Sequence, residues 1–229
     1  IYEHGTVFEK KGDTLKDIDQ VSNFSCLVHG NFYDKSVHFD GVENNFFLLK
    51  GIATNAFQTL TKAKVKFVED KSSYCDLFYR IVDNKKNTVG SIGVISDSFL
   101  DKLDISHKTD VCVMDINTTF FTEHFNHSVK VKDIILYPVV TRDLNFKLDS
   151  DANLGEVCSA MKSANQSILQ DVWPVDIYQS KEEKSKKNVL FKLSFQNIKK
   201  TLEDNEVNAI IAEIISIVTK KFNAKLRDN

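Results

Sequence analysis

Asp143-Leu144-Asn145-Phe146-Lys147-Leu148-Asp149 alternates polar and apolar side chains without a break. A period of two places Leu144, Phe146 and Leu148 on one face of a strand and Asp143, Asn145 and Lys147 on the other, as a half-buried strand requires. Just after it, Asn153-Leu154-Gly155-Glu156 has the form of a capping box, with Asn153 as N-cap and Glu156 three residues on. The helix it opens buries Leu154, Val157 and Met161. Val175 and Ile177 belong to a second strand running to Tyr178, and Val189, Phe191, Leu193 and Phe195 form the apolar face of a third. The charged run 180–188 between them reads as an exposed hairpin loop rather than a targeting signal. Thr201-Leu202-Glu203-Asp204 offers a second capping box, for a helix that carries Val207, Ile210, Ile211, Ile214, Val218 and Phe222 on one stripe. Ala224 and Leu226 close the chain as a fourth strand.

Strand, helix, strand, strand, helix, strand is the order of the ferredoxin-like split β-α-β arrangement. Its helices cover one face of an antiparallel sheet, so the other face stays open to solvent or a ligand. Side chains alternating away from the core are Asn145 and Lys147, Tyr178, Lys192, Ser194 and Gln196, and Lys225 and Arg227. Cations, hydrogen-bonding groups and one aromatic ring together suit single-stranded RNA, whose bases are read by stacking and hydrogen bonds while cations position phosphates. Solvent alone also asks an open sheet face to be polar, so each residue has a plain structural reading beside the RNA-contacting one. Arg142 and Asp143 have structural pairing at the strand start as an equal alternative. Trp173 reads as a packing residue rather than a stacking platform.

Upstream the pattern is different. Phe24–His29 alternates as a strand ended by Gly30, and Phe46, Leu49, Ala53, Ala56, Phe57 and Leu60 recur at helical spacing. Leu77, Tyr79 and Ile81, a polar turn at 83–87 and Val89–Ile95 predict a hairpin. A short helix over Ser98–Leu103 and a strand over Val111–Ile116 follow. The expected division is a module over 1–130, a linker over 131–137 and a second domain over 138–229. A chain that opens Ile1-Tyr2-Glu3-His4-Gly5, without Met and already strand-like, is expected to be cut from a longer polypeptide.

With 42% hydrophobic and 27% charged residues, the 229-residue chain has the means for sizeable cores, and general disorder is not expected. A formal charge of −2 argues against a globally basic nucleic-acid binder, though not against a local cationic face. Cys26, Cys75, Cys112 and Cys158 lie far apart and read as free thiols of a reducing compartment. With no signal peptide and no apolar run of membrane-spanning length, a cytoplasmic location and no membrane partner are expected.

Short matches in order carry a family resemblance downstream: Tyr137-Pro138-x-x-x-Arg142-Asp143-Leu144, Asp176-Ile177-Tyr178, Leu193-Ser194-Phe195-Gln196, Lys200-Thr201-Leu202 and Phe222-x-Ala224-x-Leu226-Arg227; upstream, Glu3-His4-Gly5-x-Val7-Phe8 opens the chain. Phe46-x-Leu48-x-Lys50-Gly51 and Gly90-Ser91-Ile92-Gly93 add to the upstream part. The downstream segment resembles the ferredoxin-fold anticodon-binding domain of the bacterial phenylalanine–tRNA ligase β subunit, and the upstream one its catalytic-like module. The resemblance implies an α+β architecture: a class II synthetase-like antiparallel sheet without catalytic residues, then the ferredoxin-like domain. It further implies binding of the phenylalanine tRNA anticodon loop and packing on an α subunit in an (αβ)2 heterotetramer. ATP and Mg2+ belong to that complete enzyme, with no cofactor in the present chain. The family's usual glycines after the Tyr178 position are replaced by Ser180-Lys181-Glu182-Glu183-Lys184.

The residues themselves also argue against independent chemistry. Adenylation calls for arginines on phosphates, and only Arg80 lies in the upstream part. No Gly-rich phosphate cradle or nucleophile elbow occurs. His124 and His127 lack the further ligands a metal needs. No catalytic or metal-ligating residue is therefore expected. The alternative to an RNA-binding end of a ligase is a ferredoxin-like regulatory or dimerisation module without RNA binding.

Overall fold

The computed structural model describes residues 1–126, 128, 134–180 and 183–227. His127 and part of the expected linker, 131–133, lie outside the described residues. Two compact units divide the chain, Ile1–Lys130 and Val131–Asn229.

In the first unit, β1 (Tyr2–Lys10) pairs along its whole length with β2 (Ile18–Val28), so β2 is longer than the alternation at 24–29 predicts. A short ribbon of β3 (Asn31–Tyr33) and β4 (Val42–Glu43) leads to α1 (Phe46–Thr61). Then come β5 (Lys66–Glu69), β6 (Cys75–Val82), β7 (Thr88–Ile95), α2 (Asp97–Lys102), β8 (Cys112–Asn117) and α3 (Thr119–His124). The sheet is antiparallel throughout, in the order β1-β2-β8-β7-β6-β5. Asn45 caps α1 by accepting from the Leu48 N–H at 2.9 Å, and Lys62 ends it in the left-handed region. Phe46, Leu49, Ala53 and Phe57 of α1 pack on Ile81, Ile92, Cys112, Met114 and Ile116 of the sheet. Burial there pushes the Cys112 thiol up to about 11, so it behaves as a small apolar side chain.

The second unit runs β9 (Val140–Asp149), α4 (Leu154–Lys162), β10 (Leu169–Tyr178), β11 (Lys186–Phe195), α5 (Asp204–Phe222) and β12 (Lys225–Leu226). Its strands lie in the order β10-β11-β9-β12, all antiparallel. This is the predicted ferredoxin-like βαββαβ fold. Leu144, Phe146 and Leu148 join Val189, Phe191, Leu193 and Phe195 under Val157 and Met161 of α4 and Val207, Ile210, Ile214 and Val218 of α5.

Three local readings need correction. Asn153 does cap α4, accepting from the Gly155 and Glu156 N–H groups, but it is the backbone of Glu156 that takes part. The second capping box sits at Glu203 and Glu206, not at Thr201. Leu202 is buried in the core, which holds 201–203 outside the helix and moves the start of α5 to Asp204. Finally, β11 begins at Lys186, so the hairpin loop is shorter than 180–188; Lys186, aligned with Asp149 across the ladder, pairs with its carboxylate at 2.6 Å. No helix among the described residues is long and apolar enough to cross a membrane.

Candidate nucleic-acid interface

Register across the four-stranded sheet lays out its helix-free face row by row. One row holds Tyr178, Asn188, Lys147 and Lys225 on β10, β11, β9 and β12. The next holds Asp176, Leu190 and Asn145, with the Arg227 N–H donating to the Asn145 carbonyl at 2.9 Å. Trp173, Lys192 and Asp143 form a third row; Ser194 and Thr141 follow in register, while Asp171, opposite Ser194, turns its carboxylate to Lys162 of α4. Side chains in register share a face, and the opposite rows carry the buried apolar residues.

Seven of the eight sequence-predicted contact residues thus gather on one surface. Gln196 stands apart: it follows the end of β11, and its amide donates to the Tyr137 carbonyl at 2.7 Å. Arg142 points to the helix side, where it donates to Asp204 in the first turn of α5 at 2.7 Å, a structural role. Lys147 is held by Glu183 at 2.5 Å. Among the described residues, Lys192, Lys225 and Arg227 take part in no ion pair.

Beyond the predicted contacts, the rows bring Asn188, Leu190, Trp173, Asp143 and Asp176 onto this face. Asn188 belongs to β11 rather than to the charged loop, and the alternation Asn188, Leu190, Lys192, Ser194 continues to it. Its side-chain oxygen and that of Asn145 are both shielded from solvent without a hydrogen-bond partner. Acceptors left unpaired in this way cost about 1–3 kcal/mol each, and Asn23 of the first unit carries another. Trp173 is 39% exposed and faces away from the core that buries Val172 beside it.

The first unit presents a polar row too: Ser25, Asp115, Ser91 and Arg80 lie in register across β2, β8, β7 and β6. Asp115, Ser91 and Arg80 border a depression of about 340 Å³ lined also by Asn23, Phe78 and Asn117. Its charges are satisfied internally. The Ser25 hydroxyl donates to Asp115, and Arg80 donates to Asp70 at 2.7 Å and to Thr88 at 3.4 Å. Among the described residues no group of three or more His, Cys, Asp or Glu side chains is placed to hold a metal ion.

Residues 136–227 match the ferredoxin-fold anticodon binding domain, and residues 1–118 the phenylalanyl tRNA synthetase beta chain CLM domain. Among curated proteins, the chain is 25% identical over 228 residues to the phenylalanine–tRNA ligase beta subunit of Lactococcus lactis. It is 29% identical over 237 residues to that of Haemophilus influenzae and 29% identical over 233 residues to that of Oceanobacillus iheyensis. These alignments take in 99–100% of the chain but only 28–29% of each relative. With the beta chain CLM domain matched over its first half and the anticodon-binding fold over its second, the chain belongs to the phenylalanine–tRNA ligase β-subunit family.

Proposed function

We propose that the chain is the non-catalytic, tRNA-reading end of a phenylalanine–tRNA ligase β subunit, with the helix-free face of the second unit holding the anticodon loop of phenylalanine tRNA. The observation that carries this reading is the face itself: Tyr178 and the cations Lys192, Lys225 and Arg227, which take part in no ion pair among the described residues, on one sheet surface. Stacking on Tyr178 would hold a base, and the cations would place the phosphates.

The first unit would pack on the catalytic α subunit of an (αβ)2 assembly in the cytoplasm, which the exposed Phe47, Ile52 and Leu60 of α1 support. ATP and Mg2+ would act on the α subunit. The donor set here does not fit them: Arg80 is committed to Asp70 and Thr88, and the described residues offer no metal cluster. The role left to this chain is positioning, which matters for rate because a correctly placed acceptor end removes an entropic barrier. Regulatory dimerisation through the sheet edge fits less well, because β10 carries two irregularities and Pro174, devices that discourage edge pairing.

Salt-controlled binding to a phenylalanine tRNA anticodon stem-loop, beside a loop with its first anticodon base changed, tests the reading. The native loop should bind more tightly. Lys192→Ala and Arg227→Ala should each lower affinity and flatten the salt dependence by about 0.7 in log–log slope without loss of folding. Unchanged affinity in both variants would overturn this placement of the interface.

A further inference from the structure

Tyr178 and Trp173 are five residues apart, and in a regular strand that spacing puts two side chains on opposite faces. Here they share a face. Trp173 lies opposite Lys192 and Tyr178 opposite Asn188, so five steps along β10 match four along β11. The extra residue enters at the irregularity between Pro174 and Asp176, a bulge that turns the indole to the helix-free side. Val172, next to it, is 4% exposed and paired with Leu193 in the core, whereas Trp173 is 39% exposed. The indole thus presents apolar surface to solvent beside Lys192, which takes part in no ion pair among the described residues, and on the same face as Tyr178, which is 62% exposed.

Four residues of β11 separate the two aromatic rows, a distance of about 13 Å at roughly 3.3 Å per residue. Bases stacked on one another rise by about 3.4 Å per nucleotide, so adjacent stacked bases do not reach both rings. A single strand splayed over the face does, with non-adjacent bases on the two rings and Asn188, Leu190 and Asn145 beneath the nucleotides between.

We propose that Trp173, with Lys192 beside it, forms a second base-stacking subsite that holds a nucleotide of the bound loop other than the one stacked on Tyr178. This rests on the reading of the open face as the anticodon interface. Lys192 supplies the phosphate contact for that nucleotide, and the bulge in β10 sets the distance between the subsites.

Trp173 is the single tryptophan of the chain, so its emission reports on the subsite directly. Titration of the 229-residue chain with the anticodon stem-loop should quench that emission with the same midpoint as the anisotropy of the labelled RNA. Trp173→Ala should weaken binding between about 5-fold and about 100-fold with an unchanged salt slope, and Trp173→Phe should restore most of the loss. Abasic nucleotides placed one at a time around the loop should show one position that abolishes the effect of Trp173→Ala and a different one that abolishes the effect of Tyr178→Ala. RNA binding with unaltered tryptophan emission, or one loop position cancelling both substitutions, overturns the subsite while leaving the interface in place. If the unaltered chain binds no RNA by anisotropy, the interface reading fails and the subsite fails with it. Quenching in the unaltered chain decides the matter even if Trp173→Ala does not fold.

Discussion

Lys147 stands in the same row as Tyr178, yet Glu183 from the β10–β11 hairpin holds its ammonium at 2.5 Å. Both side chains are partly exposed, so the pair adds little to stability. Its consequence lies in binding, because a phosphate arriving at Lys147 must displace a carboxylate. Glu183→Gln should therefore tighten the anticodon loop and steepen the salt dependence by about 0.7 in slope, as one more cation becomes available. Dissociation constants over a salt series check this; an unchanged slope would mean that Lys147 touches no phosphate. No sequence pattern announces this pairing, because 36 residues separate the partners and only the closure of β9 on β11 brings them together. Gln196 shows the same limit from the other side. It continues the alternation of β11, but the strand ends at Phe195 and its amide ties down the segment at Tyr137 instead.

At the scale of elements, α5 starts where tertiary packing lets it. Thr201 has the right residue type for a cap, but burying Leu202 outweighs the local signal, since capping contributes about 1 kcal/mol and a buried leucine about 1.5–3. Glu203 and Glu206 form the box instead, and Lys200 reaches Glu206 at 2.8 Å. The hydrogen bond from Lys200, then that from the Glu203 N–H, holds the Glu206 carboxyl below its ordinary value of 4.5. A carboxyl whose pKa is depressed in the folded chain contributes stability that is present above 4.5 and lost as pH falls through the lower folded value. Glu206→Gln should accordingly be less stable than the parent at neutral pH, and the difference should close on acidification. Denaturant midpoints at several pH values measure it; a gap that persists at acid pH would assign the effect to helix propensity instead.

At the scale of the molecule, each unit has its own apolar cluster. Residues 134–229 expressed alone should unfold in a single cooperative transition, with a core built on Phe146, Phe191 and Phe195. In that background Phe146→Ala should cost about 3–5 kcal/mol, read from denaturant melts; a broad transition in the parent would mean that this unit leans on the first. The order of elements, the core face of β9 and β11 and the stripe of α5 were legible from the sequence because side-chain period is a property of one strand or one helix. So was the family, from short motifs kept in order. The tertiary structure alone decided that Trp173 and Tyr178 share a face, that Glu183 covers Lys147 and that α5 is capped at Glu203. A bulge exists only relative to a partner strand, an ion pair across a sheet only after its strands meet, and a helix start only once the core has claimed Leu202. Each follows from pairing and burial that no local run of residues contains.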